Sequence, residues 1–246
     1  MRKSKTAVLL LIASNVVTLS VLLLLLFHYS VPVTVFNKLG ITIPSSANSN
    51  YKYTENYAYD ARRSIFQVYK PKSIRIVMLG NSITYGADWN ELLTRTDVAN
   101  RGIGYDITEG FINRLTDVYS LNPKTCFIMG GINDIRMGIS VNQIVQNYTK
   151  IVKGLQDHDI TPIIQSTLYV SKEYRNWKKI NKDVDELNTM IKEYANKEGL
   201  VFLDINSRLS KDSALDSIYT YDGLHLLGNG YAKWRDLILS TLSKAQ

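Results

Sequence analysis

The sequence of 246 residues contains one cysteine, five prolines and three histidines. The single thiol, Cys126, cannot form an internal disulfide. It lies in the apolar run TCFIMGG, where a small buried side chain is expected. No cluster of histidine, cysteine and carboxylate residues has the spacing of a metal site, so neither a metal nor a cofactor is predicted. The scarcity of histidine also leaves few candidates for a general base.

Acidic residues are missing from the first 50 positions. Four of the seven net positive charges fall there, and the remaining +3 is spread over the rest of the chain without a dense basic run. This distribution argues against nucleic-acid binding. The basic residues of the first 50 positions are Arg2, Lys3, Lys5 and Lys38.

One long hydrophobic run, Ala7 to Phe27, is uncharged and follows the basic MRKSK. About 20 apolar residues can cross a bilayer as a helix, and the basic flank stays cytoplasmic. We expect a cytoplasmic tail (1–6) and a single-pass transmembrane signal anchor (7–27), with the following residues extracytoplasmic at a bacterial cell membrane. A cleaved signal peptide is the alternative. Against it, the run exceeds the usual ~7–15 residues, and HYSVPVTVF offers no A-x-A-like site.

Residues 28–50 end in the polar PSSANSN and predict a linker, followed by a folded domain at 51–246. Inside this domain, short runs of consecutive apolar residues predict strands that are covered on both faces. The predicted strands are SIRIVMLG (73–80), DVAN (97–100), CFIMGG (126–131), TPIIQSTLY (161–169) and LVFLDI (200–205).

Helical periodicity alternates with these strands. It is clearest over 141–155, where Ser140 and Gln143 form a capping box. The other predicted helices are 57–69, 108–120, 178–197 and 229–242. Such alternation predicts an α/β fold, a three-layer α/β/α sandwich with a five-stranded parallel sheet and with ligands at the carboxyl ends of the strands.

Four segments carry residues suited to chemistry: GNSIT (80–84), NRGIGYDIT (100–108), GGIND (130–134) and YDGLHLLGNGYAKW (221–234). A serine needs a base to become a nucleophile, and the base needs an orienting partner. His225 is the candidate base for Ser82, because His28 borders the hydrophobic run and His158 lies in a polar turn. Asp222, three residues before His225, could orient the imidazole, although a turn or capping pair alone has the same spacing.

An attacked ester also needs hydrogen-bond donors for its developing oxyanion. The backbone N–H of Ser82, the side-chain amide of Asn133 and a backbone N–H of the turn at 102–105 are candidates. Each segment alone is common loop chemistry. Together, in this order and mostly at strand ends, they predict one site.

The four segments resemble the SGNH (GDSL-type) hydrolases over about residues 57–245, in particular carbohydrate acetylesterases and platelet-activating-factor acetylhydrolase-like esterases. The resemblance implies a flavodoxin-like SGNH fold, a triad of Ser82, Asp222 and His225, and an oxyanion hole that includes Asn133. Asn81 replaces the family's usual aspartate, which is not a triad member. Tyr105 replaces the usual oxyanion glycine, so its N–H is expected to serve in place of the glycine's.

We therefore expect a membrane-anchored extracytoplasmic serine esterase that removes small acyl groups, above all O-acetyl, from carbohydrates. An O-acetyltransferase would use the same triad with a polysaccharide hydroxyl in place of water. A silent glycan-binding domain would leave the combination of segments unexplained. A lipase is a further alternative, but the sequence has no long amphipathic lid. The aromatic loop 169–177 is expected to pack on the core. The expected partners are an acylated carbohydrate or other small ester and the membrane.

Overall fold

A parallel sheet of five strands forms the centre of the computed structural model, which describes residues 51–69 and 71–244. The strands are β1 (Ile76–Gly80), β2 (Val98–Gly102), β3 (Thr125–Met129), β4 (Thr161–Gln165) and β5 (Val201–Leu203). Their order is β2-β1-β3-β4-β5, and every neighbouring pair is parallel. A two-stranded antiparallel ribbon follows at β6 (Ser210–Lys211) and β7 (Ala214–Leu215).

Helices cover both faces of the sheet and complete the three layers. They are α1 (Tyr57–Val68), α2 (Ser82–Tyr85), α3 (Trp89–Leu92), α4 (Thr108–Asn113), α5 (Thr116–Tyr119), α6 (Ile132–Arg136), α7 (Val141–Gln156), α8 (Trp177–Lys197), α9 (Asn206–Leu209) and α10 (Gly228–Lys244). Helix α7 packs against α4 and α8, whereas α10 packs against α3 and α9. All five residues of β1 are buried, as expected for a strand covered on both faces. The predicted α/β/α sandwich is confirmed.

Most predicted elements differ from the observed ones by one to three residues at an end, and two differ more. The predicted strand 161–169 ends at Gln165. The N–H of Ser166 still donates to the backbone oxygen of Leu203 in β5, but the chain from Thr167 onward bonds to side chains instead. The backbone N–H of Thr167, for example, donates to Oδ1 of Asn188 at 2.7 Å. The predicted helix 108–120 is divided into α4 and α5 at Arg114, whose side chain turns into the interior to meet a carboxylate.

The predicted tail (1–6), membrane span (7–27) and linker (28–50) lie outside the described residues and stay predictions. In the parts that are described, 51–69 and 71–244, no helix has both the length and the apolar character needed to cross a membrane.

Candidate active site

Ser82 stands at the first position of α2, one residue beyond the turn that follows β1. The Asn81 side chain caps this helix by accepting from the N–H of Ile83 at 3.0 Å. The cap leaves the N–H of Ser82 without an acceptor in the helix. A β-carbon on Gly80 would lie 2.0 Å from Oγ1 of Thr84, so only glycine lets the chain turn this tightly.

Strand β2 holds the far end of α2 in place. The Asn100 side-chain amide donates to the backbone oxygens of Thr84, Tyr85 and Ala87 at 3.2, 3.2 and 2.9 Å. A β-carbon on Gly102 would lie 2.3 Å from the backbone nitrogen of Tyr85, so the strand and the helix approach closely here. The position of Ser82 is therefore fixed from both sides.

The structure brings Ser82, His225 and Asp222 together across 140 positions of the chain. The Ser82 hydroxyl lies 2.9 Å from Nε2 of His225, and Nδ1 of His225 lies 2.6 Å from Oδ2 of Asp222. A carboxylate accepts but does not donate, so Nδ1 carries a proton in this arrangement. In the neutral ring, Nε2 then faces the serine hydroxyl as an acceptor.

The loop 220–225 shapes the pair of Asp222 and His225. Burial by itself would raise the pKa of Asp222, but hydrogen bonds from the His225 ring and from the backbone N–H groups of His225 and Leu224 outweigh it and lower the pKa to about 2. The Thr220 hydroxyl donates to the backbone oxygen of His225 and accepts from the N–H of Gly223, at 2.7 and 2.9 Å. The carboxylate is thus ionised and the turn is closed on itself.

Asn133 lies in the first turn of α6, directly after β3, with its side chain buried. Its amide nitrogen donates to the backbone oxygen of Asp106 at 2.9 Å, and its Oδ1 accepts from Nη1 of Arg136 at 3.0 Å. The amide has two N–H hydrogens, so one remains for a ligand. The contact also brings the loop of Tyr105 and Asp106 to Asn133.

Tyr105 adopts the left-handed backbone conformation, with φ of 58°. This conformation is the one that glycine favours, and it costs other residues about 1–2 kcal/mol. The N–H of Tyr105 has no hydrogen-bond acceptor within the described residues, and its ring is 49% exposed and 5.9 Å from the ring of Tyr57. The role of Tyr105 as an oxyanion donor stays a prediction.

A buried ion pair supports the backbone on both sides of the site. Nε of Arg114 lies 2.7 Å from Oδ2 of Asp106, and both side chains are fully buried. The same guanidinium donates to the backbone oxygens of Gly80 and Arg101 at 2.9 and 2.7 Å. Burial raises the pKa of Asp106 to about 6, and the contact with Arg114 opposes this rise.

A second buried carboxylate, Asp134, joins α6 to the start of α4. It accepts from the backbone N–H of Thr108 at 3.0 Å and from the Thr108 hydroxyl at 2.5 Å. The Thr108 hydroxyl in turn accepts from the side-chain amide of Asn147 at 2.9 Å. Burial raises the pKa of Asp134 to about 6, because no cation offsets the loss of water.

Three residues at the site were not predicted from the sequence. The Tyr221 ring stacks on the His225 ring at 5.9 Å, and its place beside Asp222 in the sequence was a usable signal. Arg136 contacts Asn133 and lies over the ring of Tyr174 at 5.7 Å. Tyr174 belongs to the loop 169–177, which packs on the core as predicted, but its contact with Arg136 depends on tertiary structure alone.

Other chemistry is not supported at this site. In residues 51–69 and 71–244 no group of three or more histidine, cysteine, aspartate or glutamate side chains could hold a metal ion. Cys126 is buried, and burial raises the pKa of its thiol, so it does not serve as a nucleophile. His158 lies apart from Ser82, stacked on Tyr119 at 3.6 Å.

Solved structures with similar folds include a GDSL-like lipase from Bacteroides thetaiotaomicron and a catalytic mutant of an acetylxylan esterase from Geobacillus stearothermophilus. The first is 24% identical, with a TM-score of 0.68, and the match covers 76% of this chain and 98% of that one. The second is 16% identical, with a TM-score of 0.59, and the match covers 70% and 94%. At these identities the two structures show a shared fold.

A curated relative, the N-acylneuraminate cytidylyltransferase of Streptococcus agalactiae serotype V, is 30% identical over 115 residues, which is 46% of this chain. The match covers only 27% of the length of that relative. The model of the GDSL-like lipase/acylhydrolase family matches residues 78–233, which is more than half of the chain and includes Ser82, Asn133, Asp222 and His225. This chain therefore belongs to the GDSL-like lipase/acylhydrolase family.

Proposed function

We propose that this protein is an ester hydrolase that uses Ser82 as its nucleophile and removes small acyl groups, above all O-acetyl, from carbohydrates. One observation carries the proposal: an unbroken series of hydrogen bonds from Asp222 through His225 to the Ser82 hydroxyl. An alcohol oxygen becomes a competent nucleophile when an adjacent base removes its proton, and this series supplies the base and its orienting partner.

The reaction follows from these contacts. His225 accepts the Ser82 proton at Nε2 as Oγ attacks the ester carbonyl, and Asp222 stabilises the imidazolium that results. The imidazolium returns the proton to the departing sugar oxygen, which leaves an acyl group on Ser82. His225 then removes a proton from water, and the hydroxide attacks the acyl-enzyme to release the carboxylic acid and restore the serine.

Each attack places negative charge on the former carbonyl oxygen. We assign the oxyanion hole to the N–H groups of Ser82 and Tyr105 and to the remaining amide hydrogen of Asn133. Two features support the assignment: the Asn81 cap leaves the Ser82 N–H unused, and the Tyr105 N–H has no internal acceptor among the described residues. Fixed donors of this kind stabilise the transition state without reorganising.

Exposed aromatic rings support a sugar substrate. Tyr57, Tyr105 and Tyr221 are 82%, 49% and 67% exposed, and tyrosine presents an apolar ring with a polar tip to a ligand. Tyr105 neighbours a proposed oxyanion donor, and Tyr221 stacks on His225. Two of the similar proteins, an acetylxylan esterase and an N-acylneuraminate cytidylyltransferase, are also named for acylated sugars.

The function is tested with the purified full-length chain in detergent and a panel of sugars acetylated at different positions. Free acetate and acetyl transfer to added glycans are both measured, with Ser82→Ala as the control. We expect acetate to be the main product and the variant to be inactive. Transfer in excess of acetate release would indicate the acetyltransferase, and the absence of any turnover would favour a glycan-binding domain.

We also propose that residues 7–27 anchor the enzyme in a bacterial cell membrane with residues 51–246 on the outer side. The uncharged run and its basic flank support this topology. Full-length protein in intact cells should be digested by added protease and should stay with the membrane after alkaline carbonate extraction. Release of the protein by carbonate, or protection from protease until the cells are broken, would contradict the topology.

A further inference from the structure

Arg136 carries a positive charge that the described residues leave without a carboxylate partner. The residue is half-buried, and within the described residues only Nη1 of its guanidinium has a hydrogen-bond acceptor, Oδ1 of Asn133. A guanidinium has five N–H donors, so four remain for a ligand. No ion pair to Arg136 occurs in the part of the chain that the structure describes.

The carboxylates of the site are already engaged. Each is held by donors other than Arg136 and cannot turn toward it without leaving those donors. The pairs are Asp222 with His225, Asp106 with Arg114, and Asp134 with Thr108. The positive charge of Arg136 therefore stays unpaired within the described residues, and an anionic ligand can neutralise it.

Arg136 contacts two parts of the candidate site. On one side it contacts Asn133, which is a proposed oxyanion donor. On the other side its guanidinium lies 5.7 Å from the Tyr174 ring, and a β-carbon on Gly223 would lie 3.3 Å from Cδ2 of that ring. Gly223 is in the loop between Asp222 and His225. The guanidinium is thus linked both to Asn133 and, through the Tyr174 ring, to the loop that carries Asp222 and His225.

The Tyr174 ring restricts the guanidinium. A cation over an aromatic face is attracted to it, and a guanidinium held in this way loses less rotational freedom when it binds a ligand. The planar fork of an arginine matches the two oxygens of a carboxylate, which it can bind with paired hydrogen bonds. A fixed, partly dehydrated arginine is thus suited to a carboxylate more than to a neutral hydroxyl.

We propose that Arg136 determines substrate specificity by binding a carboxylate on the sugar, so that this enzyme deacylates sugar acids in preference to neutral sugars. The proposal rests on the proposed esterase function. It names a substrate class, acylated hexuronates or nonulosonates, whose shared feature is a carboxylate near the acylated hydroxyl.

The test compares each acetylated sugar acid with its own primary carboxamide, which has the same shape without the charge. One pair is built on methyl glucuronoside and the other on N-acetylneuraminic acid, so the two sources of the carboxylate are distinguished. The full-length enzyme, R136Q, R136K and R235Q are assayed for kcat/KM on both pairs. The Arg235 side chain on α10 is 39% exposed and pairs with Asp236, so R235Q controls for the loss of one positive charge.

We expect the enzyme to prefer the acid of at least one pair by about 10- to 100-fold in kcat/KM, chiefly through KM, as for a hydrogen-bonded charge pair. R136Q should abolish this preference, R136K should retain part of it, and R235Q should leave it intact. The ratio of acid to carboxamide removes any effect that Arg136 has on both substrates through Asn133.

Equal turnover of acid and carboxamide by the unaltered enzyme would overturn the proposal. So would an R136Q variant that retains the preference, or hydrolysis of 4-nitrophenyl acetate without turnover of either acid. An R136Q variant that loses activity equally on acid and carboxamide would make Arg136 a positioning residue for Asn133. Failure of the esterase function itself is recognised separately, since 4-nitrophenyl acetate would then not be hydrolysed either.

Discussion

The site contains two kinds of aspartate, which differ in their exposure and in the direction of their pKa shift. The Asp222 side chain is 27% exposed, and its hydrogen bonds lower its pKa to about 2. Asp106 and Asp134 are fully buried, and burial raises the pKa of each to about 6. Contact with water and the number of N–H donors decide the direction of the shift in each case.

The difference indicates that one aspartate takes part in the reaction and that the other two stabilise the fold. Asp222 faces the cleft and bonds to a histidine whose other nitrogen meets Ser82. Asp106 and Asp134 hold the backbone of the surrounding loops and contact no reacting group. Changes at the exposed group should therefore act on turnover, whereas changes at the buried groups should act on folding.

The largest effect should come from Ser82→Ala, which removes the proposed nucleophile. We expect kcat/KM to fall by about 10⁴- to 10⁶-fold. The free energy of unfolding should change by less than about 1 kcal/mol, because the hydroxyl is at the surface of the cleft. Hydrolysis of 4-nitrophenyl acetate and urea unfolding measure the two quantities, and residual activity within tenfold of the original would contradict the role.

Asp222→Asn should be the next most damaging change. The amide can donate to Nδ1 of His225 and so favour the wrong tautomer, which places a proton on the nitrogen that faces Ser82. We expect a loss of about 10³- to 10⁴-fold in kcat with the fold retained. Asp60→Asn, at an exposed position on α1, is the matched control. Equal activity of the two variants would show that Asp222 does not orient the histidine.

Arg114→Met tests how much the buried aspartates support the fold, because it leaves Asp106 without its cation. Loss of one partner from a buried ion pair costs about 3–5 kcal/mol. Lys172→Met breaks the exposed pair with Asp212 and should lower the unfolding free energy far less. Urea unfolding of both variants gives the comparison. Similar small losses would show that the buried pair does not support the fold more than the exposed one.

Asp134→Asn should change how stability depends on pH. The carboxyl has a pKa of about 6 when folded, above its unfolded value of about 3.9, so the folded protein binds more protons between pH 4 and 6. Its contribution to stability is therefore present below pH 4 and is lost as the pH rises through 6.

The asparagine variant lacks this titration and should show a flatter decline in unfolding free energy from pH 4 to 7. Between pH 4 and 7 the unfolding free energy of the original protein should fall by about 2 kcal/mol more than that of the variant. Urea unfolding at pH 4, 5, 6 and 7 measures it. An unchanged slope would mean that the folded pKa of Asp134 is not raised.

The smallest effect should come from Tyr105→Gly, which relieves the left-handed backbone but keeps its N–H. We expect a gain of about 1 kcal/mol in unfolding free energy relative to Tyr105→Ala, which retains the strained conformation and also lacks the ring. Aryl acetate hydrolysis should be similar in both variants, because only the backbone N–H is needed. A Tyr105→Gly variant that is less stable than Tyr105→Ala would contradict this account.

Much of the fold could be predicted because the five strands are short apolar runs separated by helical patterns. The strand ends were less predictable, since residues 167–169 leave the sheet to meet amides such as Asn188, which is distant in the sequence. The break between α4 and α5 depends on the turn of Arg114 toward Asp106, and no local pattern reveals that pairing.

The candidate site divides in the same way. Ser82, Asn133, Asp222 and His225 stand in short segments that turn residues mark in the sequence. Arg136 and Tyr174 meet only because α6 and the loop 169–177 pack side by side, so their contact carries no sequence signal.

The most direct test of the central claim is covalent labelling of the full-length enzyme with a fluorophosphonate, followed by mass spectrometry of its peptides. If His225 activates Ser82, one adduct should form on Ser82, more slowly in His225→Ala and not at all in Ser82→Ala. An adduct on another serine, or equal labelling rates with and without the histidine, would contradict the account.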